Sequence, residues 1–162
     1  MEPAKRKPNR LKNYDYSTSG AYFITICIND RKNLFWCDVG ANCVRQSDIQ
    51  LSSIGNVVKH QIEKWNTTYG NVHVDKYVIM PNHLHLIICI STDGNRRTQF
   101  APTISRMVKQ FKGAVTKQIG IKIWQRSFHD HIIRDENDYL KIWQYIDTNP
   151  LKWQEDCFYT EE

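Results

Sequence analysis

Hydrophobic positions along the chain change period several times, and each change marks an element. Ala21-Tyr22-Phe23-Ile24-Thr25-Ile26-Cys27-Ile28 is β-branched and aromatic and predicts a strand. A shorter extended stretch is expected near Leu34-Phe35-Trp36. From about Asp48 to Trp65 the pattern shifts, with Ile54, Val57, Val58, Ile62 and Trp65 falling on one helical face. Val72 to Met80 and His83 to Ile90 return to strand composition. Divided by Pro81-Asn82, they read as an antiparallel hairpin. Pro102 suits the first turn of a helix whose stripe is Ile104, Met107, Val108, Phe111 and Val115, with Gly120 as its stop. Ile121 to Arg134 reads as extended, and a last helix is expected from about Glu136 to Thr148, ended by Pro150.

Strand, helix, strand, strand, helix, strand, helix is an α+β order. Its first six elements predict a ferredoxin-like βαββαβ unit, an antiparallel sheet with two helices on one face. The other face stays open, with the C-terminal helix available to cover part of it. Residues 1–19 read as a polar arm and residues 20–162 as a single domain, long enough to bury a core without disulfides. Such a fold hosts many activities and selects none.

Composition narrows the setting. The five cysteines are odd in number and show no C-x-x-C spacing, which argues against a disulfide framework or a thiolate zinc site. A reducing compartment, by default the cytoplasm, is expected. No apolar run approaches the roughly 20 residues of a membrane span, and no apolar segment follows the basic start, so neither a membrane anchor nor a secretory signal is expected. The net charge of +5 is unevenly placed: Lys5, Arg6, Lys7, Arg10 and Lys12 face only Glu2 in the opening residues. Such an arm either meets a phosphate backbone or is a solvated tail. Arg106, Lys109, Lys112 and Lys117 lie off the apolar stripe of the second long helix, and with Arg96-Arg97 they are further candidates for tracking a nucleic-acid backbone.

Three clusters carry candidate chemistry. His83-Leu84-His85 lies in a predicted strand, where residues two apart point the same way. Both imidazoles then face the open side, close enough to share a cation, while Leu84, Leu86, Ile88 and Ile90 pack against the helices. His129-Asp130-His131 offers a rival pair near the end of its own extended segment, next to polar residues, where surface histidines are the alternative. In the last helix Tyr139, Ile142, Trp143 and Ile146 form the stripe that makes Tyr139 a core residue. Tyr145 falls beside that stripe, flanked one turn away by Lys141 and Asn149. It is either a nucleophile or an amphipathic tyrosine at the edge of the core.

Taken together, these segments resemble the REP-associated tyrosine transposases, single-tyrosine nucleases of the HUH type. The resemblance rests on Tyr77-Val78-Ile79-Met80-Pro81-Asn82-His83-Leu84-His85-Leu86 and on Trp143-Gln144-Tyr145-Ile146-Asp147-Thr148-Asn149-Pro150. It extends to Tyr14-Asp15-Tyr16 through Ile26 and to Trp124 through Arg134. It implies a catalytic domain over 20–162 in which His83, His85 and Asn149 bind a divalent metal, Mg²⁺ or Mn²⁺, and Tyr145 is the nucleophile. The implied reaction is cleavage and rejoining of single-stranded or hairpin DNA through a 5′-phosphotyrosine. His129 and His131 fall in a segment that supplies no metal ligands in that family. Self-association stays open. Two other activities suit the same residues: a ferredoxin-like module that grips nucleic acid without cutting it, and a metal phosphodiesterase that uses water.

Overall fold

The computed structural model describes residues 14–37, 49–91 and 103–160. Lys5, Arg6, Lys7, Arg10, Lys12, Arg96 and Arg97 lie outside the described residues. Four strands form one antiparallel sheet: β1 (Gly20–Cys27), β2 (Val72–Ile79), β3 (His83–Ile90) and β4 (His129–Ile133). Their spatial order is β2-β3-β1-β4, the arrangement the βαββαβ order predicts. The helices are α1 (Ser53–Thr68), α2 (Ile104–Ile119) and α3 (Glu136–Thr148).

One sheet face is apolar because alternate residues of the two central strands are. Ile24 and Ile26 of β1 pair with Leu86 and Leu84 of β3. All four are fully buried in a core shared with Val58 and Ile62 of α1 and Met107, Val108 and Phe111 of α2. Each long helix is capped by its own sequence. Ser52 accepts from the Gly55 N–H to start α1, and Thr103 accepts from the Arg106 N–H to start α2. Gly120 ends α2 at φ 78°, a left-handed conformation glycine adopts without strain. Gly55 is required for another reason, since a Cβ there would lie 2.2 Å from the Phe35 carbonyl oxygen.

The opposite face is where α3 lies. A β-bulge at Asp75 shifts the register of β2 between Val74 and Lys76. It presents two successive residues to α3: Asp75 accepts a hydrogen bond from the Tyr139 hydroxyl, and Lys76 pairs with Asp147 at 2.6 Å. The Lys76 ammonium also stands 3.8 Å from the centre of the Trp143 ring.

Several expectations are corrected. Leu34-Phe35-Trp36 forms no strand; Trp36 makes one isolated bridge to Leu51, and its indole N–H donates to Ile79 O at 2.7 Å. Of the stretch 121–134, only His129–Ile133 is a strand, with a further bridge from Trp124 to Ile28. Tyr139 is only partly buried and Trp143 is exposed, so the α3 stripe is shallower than its sequence suggests, and Ile146 is its one buried residue. α3 does end at Thr148 as expected; beyond it the backbone tightens into a 3-10 helix, Asn149–Glu155, with Pro150 in its first turn, where a missing N–H costs nothing.

Candidate active site

Strand alternation sends His83 and His85 to the face opposite Leu84, and their Nε2 atoms lie 3.0 Å apart. The face expected to be open is roofed: His83 is 0% and His85 2% exposed. The roof comes from the C-terminal segment, with Phe158 4.5 Å and Trp153 6.0 Å from His83, ring centre to ring centre. Phe23 stacks on His85 at 5.2 Å, and Tyr145 meets its edge at 5.2 Å.

Hydrogen bonds fix the protonation of His83. The Asn82 amide donates to Arg31 O at 3.2 Å and to Phe158 O at 2.9 Å, which orients its oxygen toward His83 Nδ1 at 2.9 Å. Nδ1 must therefore donate, and the Nε2 lone pair faces the cluster. His85 Nδ1 meets the Thr25 hydroxyl at 2.8 Å, a rotor able to donate or accept. Orienting partners of this kind are what metal-binding imidazoles use. Burial holds both rings neutral: His83 lies well below its ordinary range, and desolvation pushes His85 down to about 3.

Tyr145 stands at the mouth of the cluster, 42% exposed, with its hydroxyl 3.3 Å from His85 Nε2 and its ring edge-on to Phe23. Burial, with the neighbouring Asp156 and Cys157, pushes its pKa up to about 12, while the nearby Asn149 side chain works the other way. Asn149 is itself buried, and its amide nitrogen has no hydrogen-bond partner. The structure thus brings His83, His85 and Tyr145 together and sets Asn149 beside the tyrosine.

Two residues of the site escaped sequence reasoning. Asn82 lay inside a motif but was given no role. Asp156 sits beyond the proline expected to end the chain's regular structure, and no spacing rule points to it. Its carboxylate is 3.8 Å from His83 Nε2, and ligand atoms of His83, His85 and Asp156 all lie within 4.8 Å of one another.

The rival pair does not join this cluster. His129 and His131 share its sheet face but ride on edge strand β4, where both are exposed and His131 pairs with Asp138 at 2.8 Å. Among the basic candidates of α2, Arg106 and Lys109 are exposed. Lys112 instead donates to Gln125 O and Ser127 O, both at 2.8 Å, and burial lowers its pKa to about 8. It ties α2 to the chain entering β4.

The donor set fits a divalent cation. Two imidazoles and a carboxylate offer ligand atoms that all lie within 4.8 Å of one another. The 3.0 Å Nε2–Nε2 separation equals the cis edge of an octahedron with ligand distances of about 2.1 Å.

A ferredoxin-like sheet bearing a histidine pair under a tyrosine helix defines a narrow class, and comparison with known proteins agrees. An uncharacterized protein of Haemophilus influenzae is 38% identical over 175 aligned positions, spanning 96% of this chain and 94% of that protein. The REP-associated tyrosine transposase of Escherichia coli is 27% identical over 138 positions, spanning 85% of this chain and 70% of that one. A solved REP-associated tyrosine transposase bound to a REP hairpin shares the fold, with a TM-score of 0.60 over 89% of this chain and 73% of the other, at 22% identity. No family model matches the chain. The chain belongs to the REP-associated tyrosine transposase family. No helix among the described residues is long and apolar enough to cross a membrane.

Proposed function

We propose that the protein is a metal-dependent endonuclease and strand transferase for single-stranded DNA carrying a hairpin, working through a 5′-phosphotyrosine. Family membership supports a transposase function, and the relative solved with a REP hairpin supports the substrate class. The observation that carries the reading is Tyr145, 42% exposed, with its hydroxyl 3.3 Å from His85 Nε2.

In this reading His83, His85 and Asn149 hold Mg²⁺ or Mn²⁺. When bound, the cation supplies Lewis-acid polarisation of the scissile phosphate and stabilises developing charge. A phenol whose pKa is raised to about 12 is a weak nucleophile at neutral pH, so Tyr145 depends on that charge. Its oxygen attacks phosphorus in line, and the bond from phosphorus to the 3′-oxygen breaks. The phenol proton passes to solvent, and the departing oxygen takes one up as a 3′-hydroxyl. The covalent link conserves the phosphodiester's energy, so a second 3′-hydroxyl can attack it, restoring Tyr145 and joining strands without ATP. Lys5, Arg6, Lys7, Arg10 and Lys12, with Arg106 and Lys109, neutralise the DNA backbone. Lys112 contributes indirectly, by fixing the α2 surface. The odd cysteine set suits a cytoplasmic protein.

Tyr145→Phe tests the reading. It removes one oxygen and keeps the ring against Phe23 and His85, so the variant should fold and bind Mn²⁺ as the parent does. On a denaturing gel of labelled single-stranded hairpin DNA from the flanks of its own gene, the parent should give a protein-linked band and the variant none. A protein-linked band from Tyr145→Phe would assign the nucleophile elsewhere.

A further inference from the structure

We propose that Asp156 is a metal ligand, adding a carboxylate oxygen to His83 and His85. The inference rests on the proposed role of that histidine pair. The side chain of Asp156 is 2% exposed, and a buried carboxylate requires a compensating charge. Among the described residues no lysine or arginine comes within ion-pair distance of it; its one partner at that range is His83. That imidazole has no proton to give. Its Nδ1–H is committed to Asn82, so the Nε2 lone pair and Asp156 Oδ2 face each other, acceptor against acceptor, at 3.8 Å. A cation between them resolves the conflict.

The geometry of the turn points the same way. Asp156 Oδ1 accepts the Phe158 N–H at 2.7 Å, and its backbone is held by bonds from its own N–H to Trp153 O and from the Tyr159 N–H to its carbonyl. That side-chain contact is neutral, and the turn leaves Oδ2 directed at the histidines. Ligand atoms sharing one six-coordinate ion lie about 3.0 to 4.2 Å apart; the Nε2–Nε2 and Nε2–Oδ2 separations, 3.0 and 3.8 Å, fall in that range. The anionic oxygen makes the centre suited to hard cations such as Mn²⁺ and Mg²⁺ over softer ones.

The test is Mn²⁺ binding to the full chain, read from the paramagnetic resonance signal of the free aquo ion, for the parent, Asp156→Asn, Asp156→Ser and His83→Ala. Asparagine and serine both keep an acceptor for the Phe158 N–H, so both variants should melt like the parent in EDTA. Each should bind Mn²⁺ at least tenfold more weakly, ~1.4 kcal/mol per tenfold. Circular dichroism identifies any variant that fails to fold, and the other then decides. Parent-like affinity in the folded Asp156 variants, with binding lost in His83→Ala, would reduce Asp156 to a turn residue and leave the histidine centre standing. Parent-like affinity in His83→Ala, or no binding by the parent, would overturn both.

Discussion

Asn82 offers a stringent test of how the site is built, because it joins the fold to the chemistry through three hydrogen bonds. It is 1% exposed, donates to Arg31 O and Phe158 O, and accepts from His83 Nδ1. Asn82→Ala leaves the Phe158 carbonyl and the His83 imidazole N–H without partners and leaves Arg31 O only the Thr160 hydroxyl at 3.3 Å. At roughly 1–3 kcal/mol for each group left unsatisfied, less what entering water recovers, the expected loss is about 2–4 kcal/mol of stability. His83 is also freed to place its proton on Nε2 and to rotate, so Mn²⁺ affinity should fall about 10- to 100-fold, as for other partners that orient metal ligands. Asn82→Asp separates the two effects. The carboxylate still accepts from His83 Nδ1, fixing the tautomer and raising ring basicity, but it offers no donor to either carbonyl. It should therefore be destabilised like the alanine variant yet bind Mn²⁺ at least as tightly as the parent. Urea unfolding in EDTA measures the first quantity, and Mn²⁺ titration below the unfolding transition measures the second. If Asn82→Ala retains both stability and affinity, or if Asp and Ala lose affinity equally, the tautomer assignment is wrong.

Other consequences follow from the same contacts. Tyr139→Phe removes only the hydroxyl that Asp75 accepts; it should cost about 1 kcal/mol in urea unfolding and leave DNA cleavage intact, and a loss of the covalent band would make Tyr139 part of the chemistry. In EDTA, stability should fall as pH drops below about 6.5. There the unfolded chain protonates His85, whereas the folded chain holds it neutral to about 3. The unfolded state thus binds more protons throughout that window. At pH 5 this costs about 2 kcal/mol, and His83 acts in the same direction. Equal urea midpoints at pH 7.5 and 5 would contradict the neutral burial of the pair. Deleting residues 1–12 should lower affinity for single-stranded hairpin DNA and flatten its salt dependence, about 0.7 in log–log slope per lost phosphate contact; an unchanged slope would make the arm a solvated tail.

Sequence periodicity resolved the seven regular elements and their order because each long helix carries a complete apolar stripe and each central strand an apolar alternate set. It also separated Leu84 from His83 and His85, since a period of two leaves no choice of face. Edges were less legible. The strand expected at Leu34-Phe35-Trp36 has the right composition, yet its chain is drawn to Pro81, whose carbonyl accepts from the Leu34 and Phe35 N–H groups. Trp143 looked like stripe and is instead a surface ring under Lys76, a pairing set by a bulge in a distant strand. Asp156 and Asn82 were invisible for a related reason. Their importance lies in which carbonyls and imidazoles surround them, and those partners come from segments far apart in sequence.

The bulge at Asp75 has a further consequence. The nucleophile candidate rides on α3 and the histidines on β3, so the gap between them is a tolerance between two separately folded parts. That tolerance is set by Asp75 with Tyr139 and by Lys76 with Asp147, contacts spanning 64 and 71 residues. They clamp α3 onto the very hairpin that carries the histidines. Hydroxyl and imidazoles therefore belong to one jig, whose separation is set by contacts that lie away from both.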